Sequence, residues 1–217
     1  MSVHQRPTLY TPKLKQRVRM DGTVAAAPAK EWPWNAHGPL GQYAESFVAA
    51  GCVWFRWCPV GTPPFAHTVC VAALADATSP RMILDARGGT RLSYASGGQV
   101  FLTESYDDGL TWTEGTVAFA SGTWPTISLS GDGMMILAAR VAGELQIRRR
   151  AAGATALETA FVAVDDASAN IALADDSFHL SPAPDGPRHW LLHCRIDAET
   201  DTSTWHSEDD CESFERF

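Results

Sequence analysis

Lysine is scarce in this chain of 217 residues, and the three it has, Lys13, Lys15 and Lys30, all lie within the first 30 positions. No apolar run approaches the roughly 18 residues that a membrane-spanning helix needs. The opening residues, MSVHQRPTLYTPKLKQRVRM, contain no apolar core of the kind a secretory leader carries. These absences argue against membrane insertion and predict synthesis in the cytoplasm without a signal peptide. The cysteines Cys52, Cys58, Cys70, Cys194 and Cys211 form no Cys-x-x-Cys pair, so no zinc site is signalled. No metal and no cofactor is expected. In a protein made in the cytoplasm these thiols are expected to be reduced and mostly buried. Helical periodicity is missing too, since no stretch of about 11 residues places apolar side chains on one helical face.

Charge is present but divided. Residues 1–30 hold six bases and one acid, Asp21, a net of +5. The remaining 11 Arg and 24 acids carry −13, which brings the chain to −8. A basic arm on an acidic body predicts docking on an acidic surface, such as another protein subunit or a neighbouring copy. The body would repel phosphate, so nucleic acid is not an expected partner.

Residues 1–45 contain Pro7, Pro12, Pro28, Pro33 and Pro39 and the run VAAAPAK, with little periodicity. They are expected to form an extended N-terminal arm and linker. From residue 46 to 217 the pattern changes. Short apolar runs such as RMILDA, QVFLT, MMILAARV and HWLLHCRI are separated by Gly, Asp, Ser and Pro. Their spacing of roughly 8–12 residues is that of an all-β domain.

Within that domain a unit repeats. SPRMILDARGGTRLSYASGGQVFLTESYDDGLTW aligns with TWPTISLSGDGMMILAARVAGELQIRRRAAGATA and then with SFHLSPAPDGPRHWLLHCRIDAETDTSTWHSEDDCESF. Pro80 matches Pro125, Gly89 matches Gly133, and Gly109 and Thr111 match Gly153 and Thr155. A unit of about 45 residues with three or four strands fits a propeller blade. The body is expected to hold three to four such blades of antiparallel strands.

The unit ends on a recurring turn. Ser105, Asp107, Gly109, Thr111 and Trp112 occupy alternate and closing positions of SYDDGLTW. Ser207, Asp209, Ser213 and Phe214 repeat the pattern in SEDDCESF, with Cys211 in place of the glycine. The motif resembles the Asp-box, also called the BNR repeat, of sialidases and related β-propellers. The resemblance covers about residues 78–217 and implies a structural hairpin between the third and fourth strands of a blade, at the rim. Physical chemistry agrees: Ser and Asp accept bonds from nearby N–H groups, and Gly permits positive φ. Trp112→Ala is expected to be severely destabilising. Asp108 and Asp210 fall at a variable position and are expected to be solvated. Glu208, Asp209 and Asp210 lack the longer ligand spacing of a calcium loop.

Sialidases clamp a substrate carboxylate with three Arg and use a Tyr nucleophile, so the resemblance implies one enzyme hypothesis. Arg56, Arg81, Arg91, Arg140 and Arg195 lie on or near expected strands, and Tyr94 is the strand tyrosine. Phe-Arg-Trp-Cys-Pro at 55–59 departs from the family's Phe-Arg-x-Pro by one residue. A six-bladed ring would need roughly 270 residues. The last blade is expected to lack its fourth strand, or to borrow one from ESFVAAGCVWF. Trp32, Trp34, Trp54 and Trp57 are either sugar-stacking platforms or core and docking anchors. His189 and His193, four apart on an expected strand, stand too far apart to share a metal. No catalytic residue is assigned. The expected protein is non-catalytic and belongs to a multi-subunit assembly. Short Asp-box proteins resemble bacteriophage tail or baseplate components incorporated in a virion near host-surface contacts. The alternative is a reduced sialidase-like glycosidase or a lectin for host-surface glycan.

Overall fold

The computed structural model describes residues 17–18, 24–25, 34–37, 41–59, 64–85, 89–165, 168–174, 178–186, 188–196 and 202–216. Two compact units result, Met1–Glu31 and Trp32–Phe217. In the first, Arg17–Val18 pairs antiparallel with Val24–Ala25. The second is all β in its described residues, as expected, and consists of four sheets in sequence order.

Each sheet is one blade. Blade one is Trp34–His37, Tyr43–Ala49, Cys52–Cys58 and His67–Ala72. Blade two is Thr78–Leu84, Thr90–Ser96, Gln99–Ser105 and Thr116–Phe119, and blade three is Thr123–Leu129, Met135–Val141, Glu144–Arg150 and Phe161–Val162. Blade four is His179–Pro182, Trp190–Cys194, Ser203–Ser207 and Ser213–Arg216, with Val164–Asp165 added parallel to its last strand. The first strands of successive blades lie side by side. A cavity of about 310 Å³ lies along them, lined by Ala36, Ile83, Leu129, Leu180 and their neighbours.

The turns explain the regularity. Ala50-Gly51, Gly97-Gly98 and Ala142-Gly143 all have positive φ and join the second and third strands of blades one, two and three. Two positive-φ residues make the hairpin turn whose twist matches the strands. Alternation along each strand then turns an apolar face of each blade toward its neighbour, and blades two and three pack on both sides. Three buried clusters follow, each between consecutive blades: Phe55 with Met82 and Leu92, Val100 with Ile127 and Leu137, and Ile147 with Trp190 and Phe214.

Four expectations change here. Trp34–His37 and the start of Tyr43–Ala49 form strands of blade one rather than arm; Pro33 and Pro39 flank the strand Trp34–His37 in sequence, where a missing N–H is tolerated. ESFVAAGCVWF supplies the two central strands of blade one, not a strand of the last blade. Blade four has its own fourth strand, Ser213–Arg216, begun inside the Asp-box itself. Finally, Cys52 and Cys70 are joined in a disulfide, while Cys58, Cys194 and Cys211 are buried thiols outside it. Strand register brings the bonded pair together, because Cys70 pairs with Trp54, two residues from Cys52.

Candidate functional site

Both Asp-boxes close the passage from the third to the fourth strand, and their bonds correspond atom for atom. Ser105 Oγ accepts from the Gly109 N–H (2.9 Å) and donates to Asp107 Oδ1 (2.8 Å). Asp107 accepts from the Thr111 N–H (2.9 Å) and the Thr111 hydroxyl (2.6 Å). In blade four Ser207 Oγ accepts from the Cys211 N–H (2.9 Å) and donates to Asp209 Oδ1 (2.8 Å). Asp209 accepts from the Ser213 N–H (2.9 Å) and hydroxyl (2.6 Å). The Thr111 donors hold the Asp107 carboxyl down at about 2. For Asp209 burial opposes ionisation, but the Ser213 and Ser207 donors outweigh it and the pKa still falls below the usual range. Carboxylates so committed are fixed in the ionised form as turn acceptors.

The surroundings differ. Gly109 has φ +82°, and a Cβ there would lie 2.0 Å from the ring of Phe55 in blade one. Trp112 donates its indole N–H to the Gly109 carbonyl (2.9 Å) and meets Phe55 edge-on at 5.1 Å. Cys211 and Phe214 are instead wholly buried between blades three and four. Asp210, expected to be solvated, is also buried and pairs with Arg188. Asp108 is partly buried, and its carbonyl meets His67 Nε2 at 2.8 Å. Both aspartates adopt the same left-handed φ, 58° and 59°, so burial is decided by what packs outside the turn.

Several groups implied by the sialidase resemblance are already engaged within the blades. Tyr94 is buried and stacks on Phe101 at 5.4 Å, and burial raises its pKa. Arg56 donates to Glu45 (2.7 Å) and lies 4.2 Å over the Phe65 ring. Arg91 donates to Asp85 (2.8 Å) and Glu104 (2.9 Å). Arg140 donates to the Leu173 carbonyl (3.2 Å), Arg81 to the Pro80 carbonyl (3.1 Å), and Arg195 follows the second strand of blade four. Of the four tryptophans weighed as stacking platforms, Trp54 donates to the Ala49 carbonyl (2.9 Å) and Trp57 stacks on His67 at 5.5 Å. Trp57 also packs against the core between blades one and two. Trp32 and the side chain of Trp34 lie outside the described residues.

Two further clusters sit at the Asp-box ends of the blades. Glu104, the residue before the first box, accepts from Arg91 of its own blade and from Arg150 of blade three (2.8 Å). Burial would raise the Glu104 pKa, but the two guanidiniums hold it below the ordinary range. Beside them a cleft of about 370 Å³ is lined by Asp85, Arg91, Glu104, Arg150 and the exposed ring of Tyr106. In blade four, Asp185, His189 and His206 converge, their donor atoms within 4.8 Å of one another. His189 precedes the strand rather than lying on it, and His193, outside the cluster, meets Thr204 Oγ1 through its Nδ1 at 3.0 Å. The hairpin register supplies the missing signal, pairing Leu191 with His206 beside the turn that holds His189.

The sequence matches no family model and no curated protein. Solved structures are similar in fold. A protein of unknown function from Dyadobacter fermentans superposes with a TM-score of 0.59 at 9% identity, over 85% of this chain and 67% of its own. A Hadza microbial sialidase gives 0.58 at 10% identity, over 85% of this chain and 45% of its own. Xylan β-1,4-xylosidase from Bacillus halodurans gives 0.52 at 12% identity, over 85% and 41%. The chain thus spans less than half the length of either glycosidase. It has an all-β, propeller-like fold of the sialidase kind, and at such identities the likeness extends to the fold alone.

Proposed function

We propose that this chain is a non-catalytic structural and interaction protein, a subunit of a multi-subunit assembly built on sialidase-like blades. The observation that carries the proposal is the burial of Tyr94 inside blade two, with Arg56 and Arg91 each spent on carboxylates of their own blade. A nucleophile must reach its substrate, and a clamp needs free guanidinium donors. The charge division favours other protein subunits, or copies of this chain, as partners of residues 1–30. A phage tail or baseplate is the setting we favour; it rests on the resemblance to short Asp-box virion proteins.

A carbohydrate-binding role is the second reading. It is favoured by the cleft beside Tyr106, where an exposed ring stands next to fixed planar charged groups. The likeness to a sialidase and a xylosidase in fold agrees with it.

Incubation of the purified chain with sialosides and aryl glycosides tests the first reading, and no turnover is expected. Turnover that Tyr94→Phe abolishes would overturn it. On a glycan array, specific binding lost in Tyr106→Ala would establish the second reading.

A further inference from the structure

Blade four carries a cluster that neither the Asp-box hairpin nor the proposed function uses. Asp185 Oδ1 lies 3.3 Å from His189 Nδ1, and Asp185 Oδ2 lies 3.3 Å from His206 Nε2. The imidazole rings meet edge-on, with centroids 5.3 Å apart. Four-coordinate zinc, about 2.0–2.1 Å from each nitrogen or oxygen donor, sets its ligand atoms roughly 3.3 Å apart. Each imidazole nitrogen lies at about that separation from one of the two Asp185 oxygens, so the carboxylate reaches both rings. From this convergence we infer that Asp185, His189 and His206 form a site for a divalent transition-metal ion of the zinc type.

The chain builds the site deliberately at three points. The His189 N–H donates to the Gly186 carbonyl (3.3 Å), and the Ala183 N–H donates to the His189 carbonyl (2.8 Å), so Asp185 and His189 ride on one closed turn. Gly186 leaves room for the imidazole: a Cβ there would come within 2.8 Å of the His189 ring. Glu208 Oε1 lies 3.9 Å from His206 Nδ1, on the far side of that ring from Asp185. The nearest cation in sequence, Arg188, is drawn away by Asp210.

Imidazole nitrogens with one carboxylate suit zinc and its neighbours rather than magnesium or calcium, which prefer all-oxygen sets. The side chains of His189 and His206 are 27% and 14% exposed, and that of Asp185 is 55% exposed. The cluster is therefore walled on its histidine side and open beside the carboxylate. Three protein ligands leave a fourth position there for water or for a group from a partner. His206 pairs with Leu191, on the face of blade four opposite Trp190 and Trp205, which pack on blade three. The ion would thus clip the 183–189 turn to the end of the third strand, next to the second Asp-box.

The test is titration of the metal-free full chain with Co²⁺, followed by displacement with Zn²⁺. The expected result is one ion per chain, with the intense visible absorption of four-coordinate cobalt. Asp185→Asn and His206→Gln should weaken binding at least tenfold, with thermal midpoints in the absence of metal unchanged. Gly186→Ala, which removes no ligand, should weaken it less by displacing the ring. In the unaltered protein, Zn²⁺ should shift the ¹⁵N resonances of His189 Nδ1 and His206 Nε2, a readout independent of how the variants fold. A chain that takes up no stoichiometric ion, or binding undiminished in the ligand variants with unmoved imidazole resonances, would overturn the inference. The three side chains would then be a hydrogen-bonded His–Asp–His cluster only.

Discussion

The Asp-boxes of blades two and four share one hydrogen-bond pattern and differ in almost everything around it. In blade two the turn stands at the rim and Asp107 is exposed; its glycine is forced by the ring of Phe55 as well as by φ. In blade four the corresponding residue is Cys211, which accepts a φ of 71° and places its side chain in the core. Its closing aromatic, Phe214, is fully buried where Trp112 is half-buried. Val164–Asp165 then covers the strand that follows. The bonds thus define the turn, while the neighbouring blade decides which side chains may decorate it. A repeat can drift at its glycine and its aromatic as long as Ser and Asp remain to take the N–H groups.

That contrast can be broken by truncating the closing aromatics. Phe214→Ala should cost about 3–5 kcal/mol, the range for a buried aromatic cut to Ala. Trp112→Ala should cost less, about 2 kcal/mol, because part of its ring already faces water. Sequence alone singled out Trp112 as the severe case, and burial reverses the order. Chemical denaturation of both variants checks it, and equal losses would mean that the box, not its setting, fixes the energetics.

Acid should sharpen the likeness between the boxes. Both carboxylates have pKa values below the ordinary value of about 3.9. A depressed folded-state pKa contributes stability that is present above the unfolded value and lost as pH falls through the folded one. For Asp107 that loss runs from about 4 down to about 2. Asp107→Asn should therefore lower the thermal midpoint modestly at neutral pH. Its difference from the unaltered chain should shrink as pH drops through that window. A difference independent of pH would remove the carboxylate from the account.

The blades were legible in the sequence because their turns are chemical: glycine-bearing turns, Asp-boxes and short apolar runs recur along the chain. What proved illegible depends on register and on neighbours. Prolines at strand flanks disguised Trp34–His37 as arm. Cys52 and Cys70 come together only through the second hairpin of blade one, where Cys70 pairs with Trp54, on the same face as Cys52. Asp210 shares its backbone conformation with Asp108, so no local rule could announce its burial. The cluster of His189 and His206 joins a turn to a strand end 17 positions later, a distance that only the hairpin closes.

Whether the chain works by association is tested most directly by its mass in solution, with and without residues 1–30, at low and at high salt. The expected result is an oligomer, or a complex with another protein, that needs residues 1–30 and weakens as salt screens their net +5 from the body's −13. A monodisperse monomer in both forms and at both salt concentrations, with no partner recovered, would contradict it.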